Sequence, residues 1–132
     1  MHMPNNVMSL LNDKEATKVL TSVSADGIPH SVVIGSTMAP EPDLICAAEI
    51  LMNTTSANLK VNSNVTVLAV KGMESYQVNA TVKTYQTEGP LFDSVKAELE
   101  KMGMSCRGLW LFEPVRAFDQ GAGPNAGKTI AE

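Results

Sequence analysis

The chain reads as a mainly β protein: an antiparallel β-barrel, closed or split, built from six strands with short helices between some of them. Three observations predict this. Six segments are rich in β-forming residues, and several alternate at period two. The first two are joined by Asp26-Gly27, a tight-hairpin dipeptide. The links between the first strand pairs leave no room for the crossover helices of a parallel sheet. Strands of this kind bury an apolar face by curling on themselves.

At 132 residues the chain is expected to form one domain over residues 1–132, with residues 119–132 as an extended tail. Hydrophobic residues make up 44% and charged residues 18%, which suits a packed globule rather than a disordered chain. Net charge is −4, and the 10 Lys and Arg are scattered, so nucleic acid is excluded as an expected partner. No apolar run approaches the ~20 residues of a membrane span. The start, MHMPNNVMSLLND, lacks the charged and apolar blocks of a signal peptide, so a cytoplasmic location is expected.

Val7, Met8, Leu10 and Leu11 predict a short amphipathic helix that ends before Glu15. Thr17 to Ser24 follows as a first strand, with Thr17, Val19, Thr21 and Val23 on one face. Ile28 to Met38 reads as the second strand, with Pro29 near its start, where a missing donor does little harm. Gly35 interrupts its side-chain row, a mark of a bulge or of the close approach of a backbone or ligand. Ala39 to Asp43, with two prolines, reads as a turn.

Leu44 to Ala48 is a nearly all-apolar third strand. Thr54 to Lys60 is a short helix, and Val65 to Val70 a fourth strand. The alternating run Ser75 to Tyr85 is the fifth. Gly89-Pro90 then opens a longer helix, with proline at the favoured first position. Phe92, Val95, Leu99 and Met102 share one of its faces, Lys96 and Glu100 form an i,i+4 pair elsewhere on it, and Gly103 stops it. Arg107 to Phe118 is the sixth strand, and Pro114 implies an edge position or a bend there.

The segment with most chemical content is Met52-Asn53-Thr54-Thr55-Ser56-Ala57-Asn58-Leu59. Three successive hydroxyl residues open a helix directly after a strand. Free N–H groups and the positive end of the dipole suit a phosphate there, and the hydroxyls can add hydrogen bonds. The plain alternative is that Asn53 or Thr54 only caps the helix. A second candidate, Ala122 to Thr129, imitates a phosphate loop, but too few residues follow it to form the helix such a loop needs. Cys46 reads as an inert core residue. Cys106 stands beside Arg107 with no second ligand near it in sequence, so no metal site is expected.

The order of these pieces resembles the split-barrel flavoproteins related to pyridoxamine 5′-phosphate oxidase, and among them the small bacterial FMN-binding proteins. The residues that carry the resemblance are Asp26-Gly27 with Pro29-His30, Met52-x-x-Thr55-x-x-Asn58-Leu59, Asn62-x-Asn64-Val65, Glu88-Gly89-Pro90-x-Phe92 and Arg107-Gly108-Leu109. They span about Met8 to Phe118. The resemblance implies a six-stranded antiparallel split β-barrel and a homodimer with FMN in a groove at the subunit interface. Its phosphate would lie beside Thr54, Thr55 and Asn58. Its ring would lie along Val33, Ile34, Gly35 and Ser36 and along Ala47, Ala48 and Glu49.

The chain departs from many relatives by having Asn53, Thr54 and Thr55 where they carry Lys or Arg. Lys83, Arg107 or Arg116 are the cations that could substitute. The basic and histidine residues that grip pyridoxal phosphate in the true oxidases are not recognisable, which argues against vitamin B6 oxidation. His30 is read as structural or solvent-facing. Trp110 and Phe112 are read as core or dimer packing, with flavin stacking from a partner subunit as the other possibility.

The functional expectation is therefore an FMN-binding oxidoreductase that moves electrons between a reduced carrier and a small acceptor. The alternatives are a non-enzymatic flavin-binding or electron-transfer protein, or a cofactor-free dimeric binding module of the same fold.

Overall fold

The computed structural model describes residues 1–132. Helix α1 (Asn5–Leu11) leads into strands β1 (Thr17–Val23), β2 (Pro29–Val33), β3 (Met38–Glu41) and β4 (Leu44–Glu49). Helix α2 (Thr54–Val61), strands β5 (Asn64–Lys71) and β6 (Glu74–Gln86), helix α3 (Pro90–Lys101) and strands β7 (Gly108–Asp119) and β8 (Lys128–Ala131) complete the chain.

All ladders are antiparallel, and the strands run in the order β2-β1-β5-β6-β7-β4-β3, with β8 paired to β7. The ladder path is open: no hydrogen-bonded register joins β2 to β3. The sheet nevertheless curls, because Leu20 of β1 and Ala39 of β3, near its two ends, belong to one core with Ile45, Val67, Val78 and Phe112. The seam between β2 and β3 is crossed by the turn Ile34–Thr37, which is tied down by Ile34 N–H donating to the Lys18 carbonyl.

The strand count is eight, not six, and the errors have physical causes. The expected second strand from Ile28 to Met38 is broken at Ile34–Thr37, after which the chain re-enters the sheet as β3. The expected turn at Ala39–Asp43 shrinks to Pro42-Asp43. Pro40 is tolerated because β3 is an edge strand. The expected tail is partly a strand, since β8 adds to Ala117–Asp119 of β7. Pro114 lies on a locally unpaired side of β7, past the β4 register that ends at Phe112 and before the β8 register that begins at Ala117, and it also marks a bend. On the β6 side Ala80 faces Pro114 while Asn79 faces Arg116, so Val115 is an extra residue bulged out of the ladder.

Each end of the barrel is plugged by a helix. α1 buries Val7, Leu10 and Leu11 in the main core. At that end Lys18 is buried, and its ammonium donates to the Asp13 carbonyl at 2.6 Å. α2 closes the other end over Ser22. These two plugs explain why β1 turns Lys18, Leu20 and Ser22 inward while Val19 and Val23 stay half-buried outside. α3 lies outside the barrel, where Phe92, Val95 and Leu99 cover Cys46, Ala48, Leu109 and Leu111 of β4 and β7. Met102 leaves the face expected of it, because it is the C-cap and lies 64% exposed. No helix is long and apolar enough to cross a membrane.

Candidate functional site

The sequence-predicted residues fall into two groups at one end of the barrel, on either side of the β4–α2 connection. The first is a cavity of about 450 Å³ at the open seam. Val32, Val33, Ile34, Gly35 and Ser36 form one wall. Ala48 and Ile50–Met52 form a second, and Leu99, Met102 and Met104, at and beyond the end of α3, form a third. Five of the predicted ring residues therefore meet here: Val33, Ile34, Gly35, Ser36 and Ala48. A Cβ added at Gly35 would meet no atom within 4 Å, so the backbone there borders open space. Ser36 is partly committed, since its hydroxyl accepts the Ala48 N–H at 3.0 Å. Thr37, at the end of the seam turn, is 1% exposed, and its hydroxyl has no hydrogen-bond partner.

Period-two alternation sends the other two predicted ring residues elsewhere. Ala47 is fully buried in the barrel core, across the ladder from Trp110. Glu49 faces inward beyond it, 7% exposed, under the first turn of α2. Its carboxylate accepts the Ser56 hydroxyl, the Tyr85 hydroxyl at 2.8 Å and the Trp110 indole N–H at 3.2 Å. The Arg107 guanidinium stands 3.7 Å away. Burial works against the Glu49 charge, but the two hydroxyls, the indole and the guanidinium outweigh it and hold the carboxyl below its ordinary value. The same contact acts oppositely on Tyr85. Burial first, then the neighbouring carboxylate, push its phenol up to about 12. Tyr85 packs against Trp110 with ring centroids 4.7 Å apart. It fits there because position 108 is glycine, where any Cβ would overlap the Tyr85 ring and hydroxyl. Trp110 thus belongs to the core.

The second group is the start of α2. Asn53 makes no side-chain cap bond, so the plain capping alternative fails for it. The first intrahelical acceptor is the Asn53 carbonyl, bonded by Ala57 N–H, and the N–H groups of Thr54, Thr55 and Ser56 lie before it. Thr54 is exposed, and Thr55 is buried. Asn58 is buried, and its amide donates to Ser22 Oγ at 3.0 Å. Of the three substitute cations, Arg107 is the one at this junction, its Nη2 donating to the Met52 carbonyl at 2.7 Å. Arg116 pairs with Glu132, and Lys83 is exposed on β6. The Arg107 and Glu49 contacts were invisible in the sequence, because residues 49, 56, 85, 107 and 110 meet only through the β4–β7 and β6–β7 pairings.

Elsewhere the imitation phosphate loop is followed by β8 rather than a helix, and Lys128 donates to Asn125 Oδ1. Cys46 and Cys106 are both free and buried, and burial pushes the Cys46 thiol up to about 12.

The family model described as pyridoxamine 5′-phosphate oxidase matches residues 4–122. No curated protein matches the chain. Among solved structures, HupZ of Group A Streptococcus is similar at 20% identity with a TM-score of 0.80, over 95% of this chain and 99% of that one. An FMN-binding protein of Syntrophomonas wolfei is 20% identical with a TM-score of 0.79, over 85% of this chain and 82% of that one. HutZ of Vibrio cholerae, a heme storage protein, is 12% identical with a TM-score of 0.66, over 92% of this chain and 97% of that one.

Proposed function

The chain belongs to the pyridoxamine 5′-phosphate oxidase family, and from that premise we propose that it binds FMN and serves as an oxidoreductase, passing electrons from a reduced carrier to a small acceptor. The observation that carries this reading is the seam cavity, where the fold gathers Val33 of β2, Ile34, Gly35 and Ser36 of the seam turn and Ala48 of β4 around about 450 Å³ of open space. That volume lies within the range of cofactor pockets. The walls fit a flavin ring in kind: they are mostly apolar, and open space borders the backbone at Gly35. The unspent N–H groups of Thr54, Thr55 and Ser56, with Arg107 beside them, would hold the phosphate. Asn58 keeps α2 in place instead of touching the ligand. Bound FMN would supply the electron and hydride chemistry, and the protein its position and surroundings.

A homodimer is part of this proposal. The exposure of Ile28, Val33 and Leu51 at the β2 and seam surface supports it.

A carrier that binds flavin without turnover is the second reading. It is favoured by the absence of any acid–base pair among the cavity residues. The test is a titration of the purified protein with FMN and with riboflavin, followed by addition of a reduced nicotinamide and an acceptor. Stoichiometric flavin uptake with turnover supports the oxidoreductase, and uptake with reversible reduction alone supports the carrier. A protein that takes up no flavin at all defeats both.

A further inference from the structure

A buried carboxylate lies under the proposed phosphate seat, and its charge has the same sign as a phosphate. Glu49 is 7% exposed and accepts the hydroxyl of Ser56, the third residue of α2. The N–H of that same residue is one of the three left for a ligand at the helix start. Arg107, the cation at this junction, is engaged as well. Its backbone N–H donates to the Glu49 carbonyl at 2.8 Å, its Nη2 donates to the Met52 carbonyl at 2.7 Å, and its Nε stands 3.7 Å from Glu49 Oε1. Half of the Arg107 side chain is nevertheless in water, and its guanidinium has further N–H groups to give. Tyr85 and Trp110 complete the shell of the carboxylate, which stays charged at neutral pH. A phosphate arriving at α2 therefore draws on a hydroxyl residue, a guanidinium and a helix end that an internal anion already uses.

We propose that Glu49 is a specificity-determining residue of the flavin site: it competes with the ligand's phosphate for Arg107 and the first turn of α2, narrows the preference for FMN over riboflavin, and so keeps the flavin exchangeable. The inference rests on the flavin reading, which brings a phosphate ester to this junction. Water screens the half-exposed guanidinium, so the competition is worth a factor of about three to ten in affinity rather than more. Sequence-level reasoning had placed Glu49 against the ring, whereas its carboxylate acts here from beneath the helix that faces the phosphate.

Glu49→Gln keeps the shape and removes the charge. The substitution costs stability, yet calorimetric titration of the full chain is expected to show FMN bound about three- to tenfold more tightly and released more slowly, with riboflavin unchanged. A merely structural role predicts the opposite, weaker binding of both flavins. In an Arg107→Met background the gain from Glu49→Gln should fall to about twofold or less, because the two residues act through one guanidinium. Inorganic phosphate tests the same competition without a flavin. Added to the ligand-free parent, it is expected to change the emission of Trp110, the only tryptophan, since a turning Arg107 alters the carboxylate that holds the indole N–H. Glu49→Gln should bind it more tightly than the parent does.

Unchanged or weaker FMN binding in a folded Glu49→Gln variant, an equal gain for riboflavin, or a gain that persists in full without Arg107 would each overturn the proposal. Should Glu49→Gln fail to fold, the parent decides: a Trp110 emission that ignores phosphate overturns the competition, and a saturable response supports it. Failure of both flavins to bind, with inorganic phosphate still held more tightly by Glu49→Gln, would defeat the flavin reading and leave the role of Glu49 standing.

Discussion

Glu49 follows five apolar or small residues, and in the fold its carboxylate takes hydrogen bonds from three side chains on α2, β6 and β7. Its folded pKa lies below the unfolded value of about 4.3. The stabilisation is therefore complete above that pH and disappears as pH falls through the folded value. Glu49→Gln should destabilise the protein at pH 7 and flatten its loss of stability in acid. Urea unfolding at neutral and acidic pH measures both, and a variant that trails the parent by a constant margin at every pH would contradict the assignment. Gly108 is the counterpart in space. Gly108→Ala should displace the Tyr85 ring from Glu49 and Trp110, cost about 1–2 kcal/mol and change the emission of Trp110, the only tryptophan. Neither role can be read from the chain alone. A glutamate at a strand end looks solvent-facing until its cross-strand neighbours are known.

Helix α2 carries two separable tasks. Its buried side holds it to the barrel through Asn58 and Ser22. Asn58→Ala leaves the Ser22 hydroxyl unpaired beneath the helix and should cost about 1–3 kcal/mol in urea unfolding. Its first turn is the candidate phosphate seat. Thr54→Ala with Thr55→Ala should weaken FMN by about tenfold while leaving riboflavin, which has no phosphate, nearly unaffected. Equal weakening of both flavins would place the phosphate elsewhere. The three hydroxyl residues marked this element in the sequence, and its existence and start were legible from them. Which residues face in and which face out was not, because the answer depends on how α2 sits over β1.

Across the whole molecule, β8 is an addition to β7 that contributes nothing to the cavity. Deleting residues 124–132 should lower the melting temperature by a few degrees and leave flavin uptake intact, whereas lost uptake would tie the terminus to the site. The sequence by itself determined the β class, the Asp26-Gly27 hairpin, three helices near their true bounds and the segments in which candidate binding residues lie. Those are local properties: side-chain periodicity, glycine and proline geometry, and hydroxyls at a helix start. Tertiary structure alone decided that a broken second strand leaves an open seam, that this seam is a cavity, and that Arg107 reaches the β4–α2 junction to stand beside a buried carboxylate. Those facts depend on which strands become neighbours. Neighbours far apart along the chain are chosen by the packing of the whole sheet, and no single segment encodes the choice.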